Sequence, residues 1–164
     1  MRLCISKYFE NLKIREQLFM FLTLNVYFPY CKTVYKGKGK QLHFQELLRF
    51  PSGSLGRHTA EFLQKNQLEL MNGYEAHDMK HVLFGIPASM EGEVRMQYFE
   101  FGNGNRSLPV ITVMFFGTLF MPERLCYFIQ EYKRGSLAGN LRHIDLKQYA
   151  HLSINQLRNQ WTIR

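Results

Sequence analysis

The chain has 164 residues, 46% hydrophobic and 15% aromatic, with 21 Lys+Arg against 13 Asp+Glu for a formal net charge of +8. Phe 14, Tyr 9 and a charged fraction of 21% exclude disorder, and this length buries enough surface for one domain without staples. Three scattered cysteines, Cys4, Cys31 and Cys126, exclude a disulfide scaffold and suit a reducing compartment, while the cationic excess favours anionic partners.

Residues 5–23 carry Phe9, Leu12, Leu18, Phe21 and Leu22 at helical spacing. The apolar run 18–28 follows Lys13 and Arg15 as an export signal would. Asn25 interrupts it, Glu10 and Glu16 precede it and no small-residue cleavage site follows, so a signal peptide is not expected. Lys32, Lys36, Lys38 and Lys40 surround the glycine-broken YKGKGK loop, either a solvated loop or a weak anchor worth roughly 1 kcal/mol per cation at an anionic membrane. The loop lacks Walker spacing. A short helix is expected over 43–49, up to Pro51. In PSGSLGR (51–57), Ser52 or Ser54 caps a helix running through Ala60, Phe62 and Leu63 toward Leu68. Residues 75–83 predict the next helix, stopped near Gly85 and Pro87. Ser89 caps another that carries Glu93, Val94, Tyr98 and Phe99 and ends at the GNGN segment 102–105.

The run 110–121, between Pro109 and Pro122, is shorter than the about 20 apolar residues that span a bilayer. It has strand propensity but no partner strand, so it is read as a buried helix or the wall of an apolar cavity. A helix over 124–134 follows, with a second basic cluster at Lys133, Arg134 and Arg142. A last amphipathic helix spans 145–160, with Leu146, Tyr149, Leu152, Ile154 and Leu157 apolar, followed by Trp161. There is no internal repeat and no low-complexity linker. The expectation is an all-α fold, a single-domain helical bundle over residues 1–164 with a metal site between two consecutive helices.

The chemistry concentrates in His77-Asp78-Met79-Lys80-His81, followed after eleven residues by Glu93. His77 and His81 at i, i+4 and Asp78 and His81 at i, i+3 share one helix face. Two imidazoles and a carboxylate suit zinc or another first-row divalent ion. Gly85 and Pro87 let the chain turn back, so that Glu93 can reach the same ion. The bland alternative places His77 and Asp78 on a polar face and makes His81 a hydrogen-bonded core histidine.

HDMKH with Glu93 resembles the His-Asp-x-x-His…Glu signature of the coenzyme Q (ubiquinone) biosynthesis protein 4 family. FPSGSLGRHTAEFL (50–63) is similar to that family's Pro-x-Gly-Ser-Leu-Gly-Arg segment, and HDMKHVLFGIPASMEGEVRMQYFE (77–100) follows its pattern through Gly85, Pro87, Gly92, Phe99 and Glu100. LPVITVMFFG (108–117) and residues 156–163 resemble its apolar helix and its Arg-containing last helix. The likeness covers a core of residues 47–164 and is weak over the amino-terminal helical part, 1–46. The connection 64–76 is shorter than in eukaryotic members, and no long amino-terminal extension is present, which suggests a compact bacterial form.

The resemblance implies metal ligands at His77, Asp78, His81 and Glu93, with zinc first and iron, manganese or magnesium as alternatives. It implies a polyprenylated quinone precursor or other isoprenoid lipid as ligand and other ubiquinone-biosynthesis proteins as partners. Peripheral membrane contact and a homodimer are further expectations. The activity implied is that of a metal-dependent decarboxylase (a lyase) acting on a polyprenyl-hydroxybenzoate, with oxidative removal of the ring C1 carboxylate. The alternative is a non-catalytic lipid-binding scaffold. The location implied is cytoplasmic and peripheral on the inner membrane in a bacterium, or the matrix side of the mitochondrial inner membrane in a eukaryote.

Other readings are weaker. Phe115, Phe116, Leu119, Phe120 and Met121 either line a prenyl groove or form plain core. Arg57, in the first turn of its helix, either docks an anion with the helix amides or is a surface arginine on a capped turn. An HD-type metal phosphohydrolase would use His43 or His58 and Asp145 but leaves His81 and Glu93 unexplained. No motif pairs a basic patch with aromatic readers, so nucleic acid is not an expected partner.

Overall fold

The computed structural model describes residues 42–70 and 73–164, together with Ile14, Gln17, Leu18, Phe21, Asn25 and Pro29. Ile14, Gln17, Leu18 and Phe21 are helical; the rest of the predicted first helix and the YKGKGK loop lie outside the described residues. Among the described residues the structure is all-α: α1 Phe44–Arg49, α2 Leu55–Lys65, α3 Glu75–Phe84, α4 Met90–Gly102, α5 Leu108–Phe120, α6 Leu125–Leu137 and α7 Ile154–Gln160. Short 3-10 turns at Pro122–Arg124 and Leu146–Tyr149 precede α6 and α7.

Local chemistry explains most of the boundaries. The His43 amide donates to Glu46 Oε2 at 2.8 Å and opens α1. Ser54 and Ser89 accept from the amides of Arg57 and Gly92, at 3.2 and 3.0 Å, and start α2 and α4. Gly85, in the left-handed region at φ 69°, closes α3 as only glycine does without strain.

One expectation needs correction. The final helix is not continuous over 145–160. The Leu55 and Gly56 amides at the start of α2 donate to the carbonyls of Leu152 and Ala150, at 2.9 and 2.7 Å. An unbroken helix would have used those carbonyls internally, so 150–153 unwinds and α7 restarts after Ser153. The apolar helix α5, read as a buried helix or the wall of an apolar cavity, takes the second form. Val110, Val113 and Gly117 face inward, whereas Leu108, Phe115 and Leu119 are 67%, 63% and 62% exposed. With Tyr98 and Phe101 of α4 it walls an open cleft of ≈ 460 Å³, also lined by Ile111, Met114 and Thr118. Phe120 and Met121 pack instead into the core with Met90, Val94, Val113 and Phe128. No single described helix is long and apolar enough to cross a membrane; α5 and Pro122–Leu137 together meet the length and composition, bent by 106°.

The larger core lies between α3 and its neighbours, where Leu47, Leu55, Leu63, Met79, Leu83, Met96 and Leu157 are fully buried and Phe84 stacks on Phe99 at 4.0 Å. Against its other side, α4 meets α6 backbone to backbone. A Cβ at Gly135 would lie 2.0 Å from the Phe99 carbonyl oxygen, and one at Gly102 2.1 Å from that of Tyr132. Backbone cannot yield as a side chain can. Gly135→Ala is therefore expected to lower unfolding free energy by about 3 kcal/mol, measured by urea unfolding; an unchanged midpoint would show that the two helices slide apart freely.

Candidate metal centre

The turn between α3 and α4 builds the site. His77 and His81 stand one helical turn apart on α3. The Gly85 amide and the Ile86 amide (to His81 O, 2.9 Å) close that helix, and the chain reverses through Pro87 into the Ser89 cap. Glu93 thus arrives in the first turn of α4, where the helix dipole favours a carboxylate. Its oxygens lie 3.3 Å from His77 Nε2 and 3.0 Å from His81 Nε2, and the two ring nitrogens are 3.3 Å apart. His77, His81 and Glu93 can offer ligand atoms all within 4.8 Å of one another.

A proton balance shows what fits there. His81 Nδ1 lies 3.2 Å from the Ile86 carbonyl, which can only accept, so Nδ1 carries the hydrogen. In the neutral ring, Nε2 then presents a lone pair to a carboxylate oxygen and to a second imidazole. His81 Nε2 and the Glu93 carboxylate are then two acceptors facing one another, which is unfavourable unless a hydrogen on His77 Nε2, an extra proton or a metal ion sits among them. Two imidazoles and one carboxylate are a good donor set for a divalent ion. The surroundings hold His81 rigidly: its side chain is 2% exposed, and Phe62 of α2 stacks on the ring at 5.6 Å and 19°. Tyr74 meets His77 edge-on at 6.4 Å.

The charges respond as this geometry requires. Burial opposes ionisation of Glu93, but the two imidazoles and their hydrogen bonds outweigh it and hold the carboxyl far below the usual range. Burial likewise lowers His77, yet Glu93, with Asp78, raises it above its ordinary value. Asp78 is pushed up to about 6, chiefly by burial. Glu100 is held low: burial opposes this, but Lys80 at 2.7 Å and Asn105 at 2.6 Å overcome it. The Lys80–Glu100 pair ties α3 to α4 two turns beyond the site.

Three of the four expected ligands thus come together, while Asp78 stays outside the 4.8 Å group and reaches it only electrostatically. Arg57 donates to the Leu48 carbonyl at 2.7 Å and to Glu61 at 3.0 Å, and the amides beside it already have protein acceptors. An anion there would have to displace these partners. His58 pairs with Glu61 at 3.3 Å and Asp145 caps the Lys147 amide at 3.2 Å; neither joins His77. The sequence reading missed Phe62 and the Ile86 carbonyl as supports. The former carried no signal beyond its place on an apolar face, and a main-chain oxygen carries none at all.

A profile of the family described as Coenzyme Q (ubiquinone) biosynthesis protein Coq4 matches residues 70–164. The mitochondrial ubiquinone biosynthesis protein COQ4 homolog of Rattus norvegicus is 32% identical over 102 residues, covering 51% of this chain and 37% of that protein. The Xenopus tropicalis homolog is 34% identical over 77 residues, covering 36% and 28%. The chain therefore spans about a third of the length of these curated relatives. A crystal structure of a Nostoc punctiforme protein assigned to ubiquinone biosynthesis superposes with TM-score 0.63 at 17% identity, covering 93% of this chain and 83% of that one, a likeness of fold.

The titrations make a prediction for metal-free protein. Asp78 and His77 bind protons more tightly folded than unfolded, so their contributions are lost as pH rises, between about 4 and 6 for Asp78 and above about 6.5 for His77. Glu93 works oppositely, and its contribution disappears only as pH falls well below its unfolded value. Calorimetry of chelator-treated protein should show the thermal midpoint falling from about pH 5 to pH 8, and one equivalent of divalent ion should restore it. A midpoint that climbs across that range without metal would contradict the charge assignments.

Proposed function

Because the chain belongs to the Coq4 family of coenzyme Q (ubiquinone) biosynthesis proteins, we propose that it acts in ubiquinone biosynthesis as a divalent-metal protein that holds a prenylated quinone precursor. One observation carries this reading: two imidazole nitrogens and a carboxylate converge within 4.8 Å from consecutive helices, with His81 presenting its Nε2 lone pair to the other two. Zinc is the first choice for that donor set, ahead of iron, manganese or magnesium. Three ligands leave a tetrahedral ion one open position, the pattern of catalytic rather than closed structural sites.

The bound ion would supply Lewis-acid polarisation of a ring carboxylate or phenolate oxygen. The chain's own residues do the rest. Glu93 supplies negative charge, and His81 is held with its proton on Nδ1. Asp78, with a carboxyl near 6, takes or returns a proton at its carboxylate oxygen close to neutral pH. The reaction class is oxidative decarboxylation at C1 of a polyprenyl-hydroxybenzoate: the carboxylate leaves as carbon dioxide, water supplies the oxygen of the hydroxyl that replaces it and releases a proton, and a two-electron acceptor from outside the chain, such as dioxygen, takes up the electron pair. The prenyl tail would lie in the cleft between α4 and α5, whose wall is almost wholly apolar.

A second reading, a lipid-holding scaffold, is favoured by the extent of apolar surface left open. Phe115, Leu119, Tyr127, Ile129 and Leu137 are exposed, as is Lys133, and Arg124, paired with Glu91 at 3.1 Å, lies over the Tyr127 ring. Exposed apolar side chains of this kind suit contact with a membrane and with other biosynthetic proteins, on the matrix side in a mitochondrion or the cytoplasmic side in a bacterium.

Metal analysis of purified protein should find about one divalent ion per chain, and the double variant His77→Ala, His81→Ala should lose it. Retention of metal by that variant would refute the site. Asp78→Asn should keep the ion and lower turnover about 100-fold. Phe115→Glu should cut the prenyl lipid recovered by extraction and mass spectrometry by about tenfold. Lipid binding without ring-modified product would select the scaffold.

A further inference from the structure

The helix that carries His77 and His81 ends against two arginines from the far end of the chain. Arg158 of α7 donates through Nε to the Leu83 carbonyl and through Nη2 to the Val82 carbonyl, each at 2.9 Å. Arg134 of α6 donates through Nη2 to the Phe84 carbonyl, also at 2.9 Å. These carbonyls form the last turn of α3; that of Val82 also accepts from the Gly85 amide at 3.3 Å, while those of Leu83 and Phe84 lie beyond the reach of the helix's own amides. They are also the negative end of the helix dipole, which offsets the placing of two like charges side by side. Burial, and then Arg134, lowers the pKa of Arg158, so this placement costs something that the carbonyls must return.

Immediately beyond those carbonyls comes Gly85 at φ 69°, where a Cβ would stand 3.4 Å from Arg158 Nη2. The same turn aims the Ile86 carbonyl back at His81 Nδ1, 3.2 Å away. A continuous path therefore runs from the Arg158 guanidinium, through two main-chain carbonyls and one left-handed glycine, to the hydrogen bond that fixes the His81 tautomer.

We propose that Arg158, assisted by Arg134, is a positioning residue of the metal centre: it clamps the end of α3 so that the Ile86 carbonyl holds the His81 proton on Nδ1 and leaves Nε2 free for a cation. The cation half of this statement rests on the reading of His77, His81 and Glu93 as a metal site; the tautomer half does not.

The experiment compares the full chain with Arg158→Gln, Arg158→Lys and Gly85→Ala. Long-range nitrogen–proton NMR of the metal-free proteins reads the His81 tautomer. Cobalt(II) titration at fixed pH reads affinity and the ligand-field band. The wild type is expected to show Nδ1–H at His81. Arg158→Gln should show mixed tautomers and bind cobalt about 10- to 100-fold more weakly with an altered band, at unchanged helix content. Arg158→Lys restores a cation and donor to the helix end without the two-pronged fit, and should recover part of the affinity. Should Arg158→Gln fail to fold, Gly85→Ala strains the same turn while keeping the guanidinium, and is expected to shift tautomer and affinity in the same direction. A wild-type tautomer and wild-type cobalt affinity in the folded variants would overturn the proposal. An Arg158-dependent tautomer in a wild type that takes up no cobalt would overturn the metal reading and uphold the clamp.

Discussion

A main-chain carbonyl has no proton to give, and the one at Ile86 faces the Nδ1 of a histidine that is almost entirely buried. That single constraint decides the rest of the centre. It places the His81 hydrogen on the inner nitrogen, turns the outer lone pair toward Glu93 and His77, and creates a point that suits a donor hydrogen or a cation. The turn that delivers the carbonyl is also what brings Glu93 to the imidazoles, so carboxylate placement and tautomer selection share one five-residue connection.

Helix α4 links this polar centre to the apolar cleft. Glu93 faces α3 from its first turn, while Tyr98 and Phe101 line the cleft with α5. Glu93 and Phe101 lie eight residues apart, about 12 Å along the axis. The intervening helix is held on the other side by α6, packed close through Gly102 and Gly135, and by the Arg95–Glu131 ion pair at 2.5 Å. A rail fixed this firmly keeps the distance between centre and cleft constant, which a molecule with a polar head and a long apolar tail would require.

Much of the centre was legible because its chemistry is local. The i, i+4 histidines, the Gly85 stop, Pro87 and the Ser89 cap all act within a few residues, and together they foretell that two helices turn back on each other. What escaped was tertiary. The break at 150–153 depends on amides nearly 100 positions earlier in α2. Arg158 reads as one more cation on an amphipathic helix until its carbonyl acceptors 75 residues upstream are seen. The exposure of α5 was hidden for a different reason: a helix apolar on every side carries no moment to show which side faces the core, and the pattern is the same whether protein, lipid or water covers it.

The 106° elbow between α5 and the segment Pro122–Leu137 sets a limit on depth. One arm is a 13-residue helix about 20 Å long and the other a 13-residue helix with a 3-residue 3-10 turn before it, about 25 Å, against a hydrocarbon layer about 30 Å thick. Folded back nearly at right angles, the pair spreads sideways rather than downward. Resting on a bilayer, such a shape would shoulder aside the acyl chains of one leaflet and leave the opposite leaflet untouched. On a membrane, such a wedge would meet only the tails held in its own leaflet.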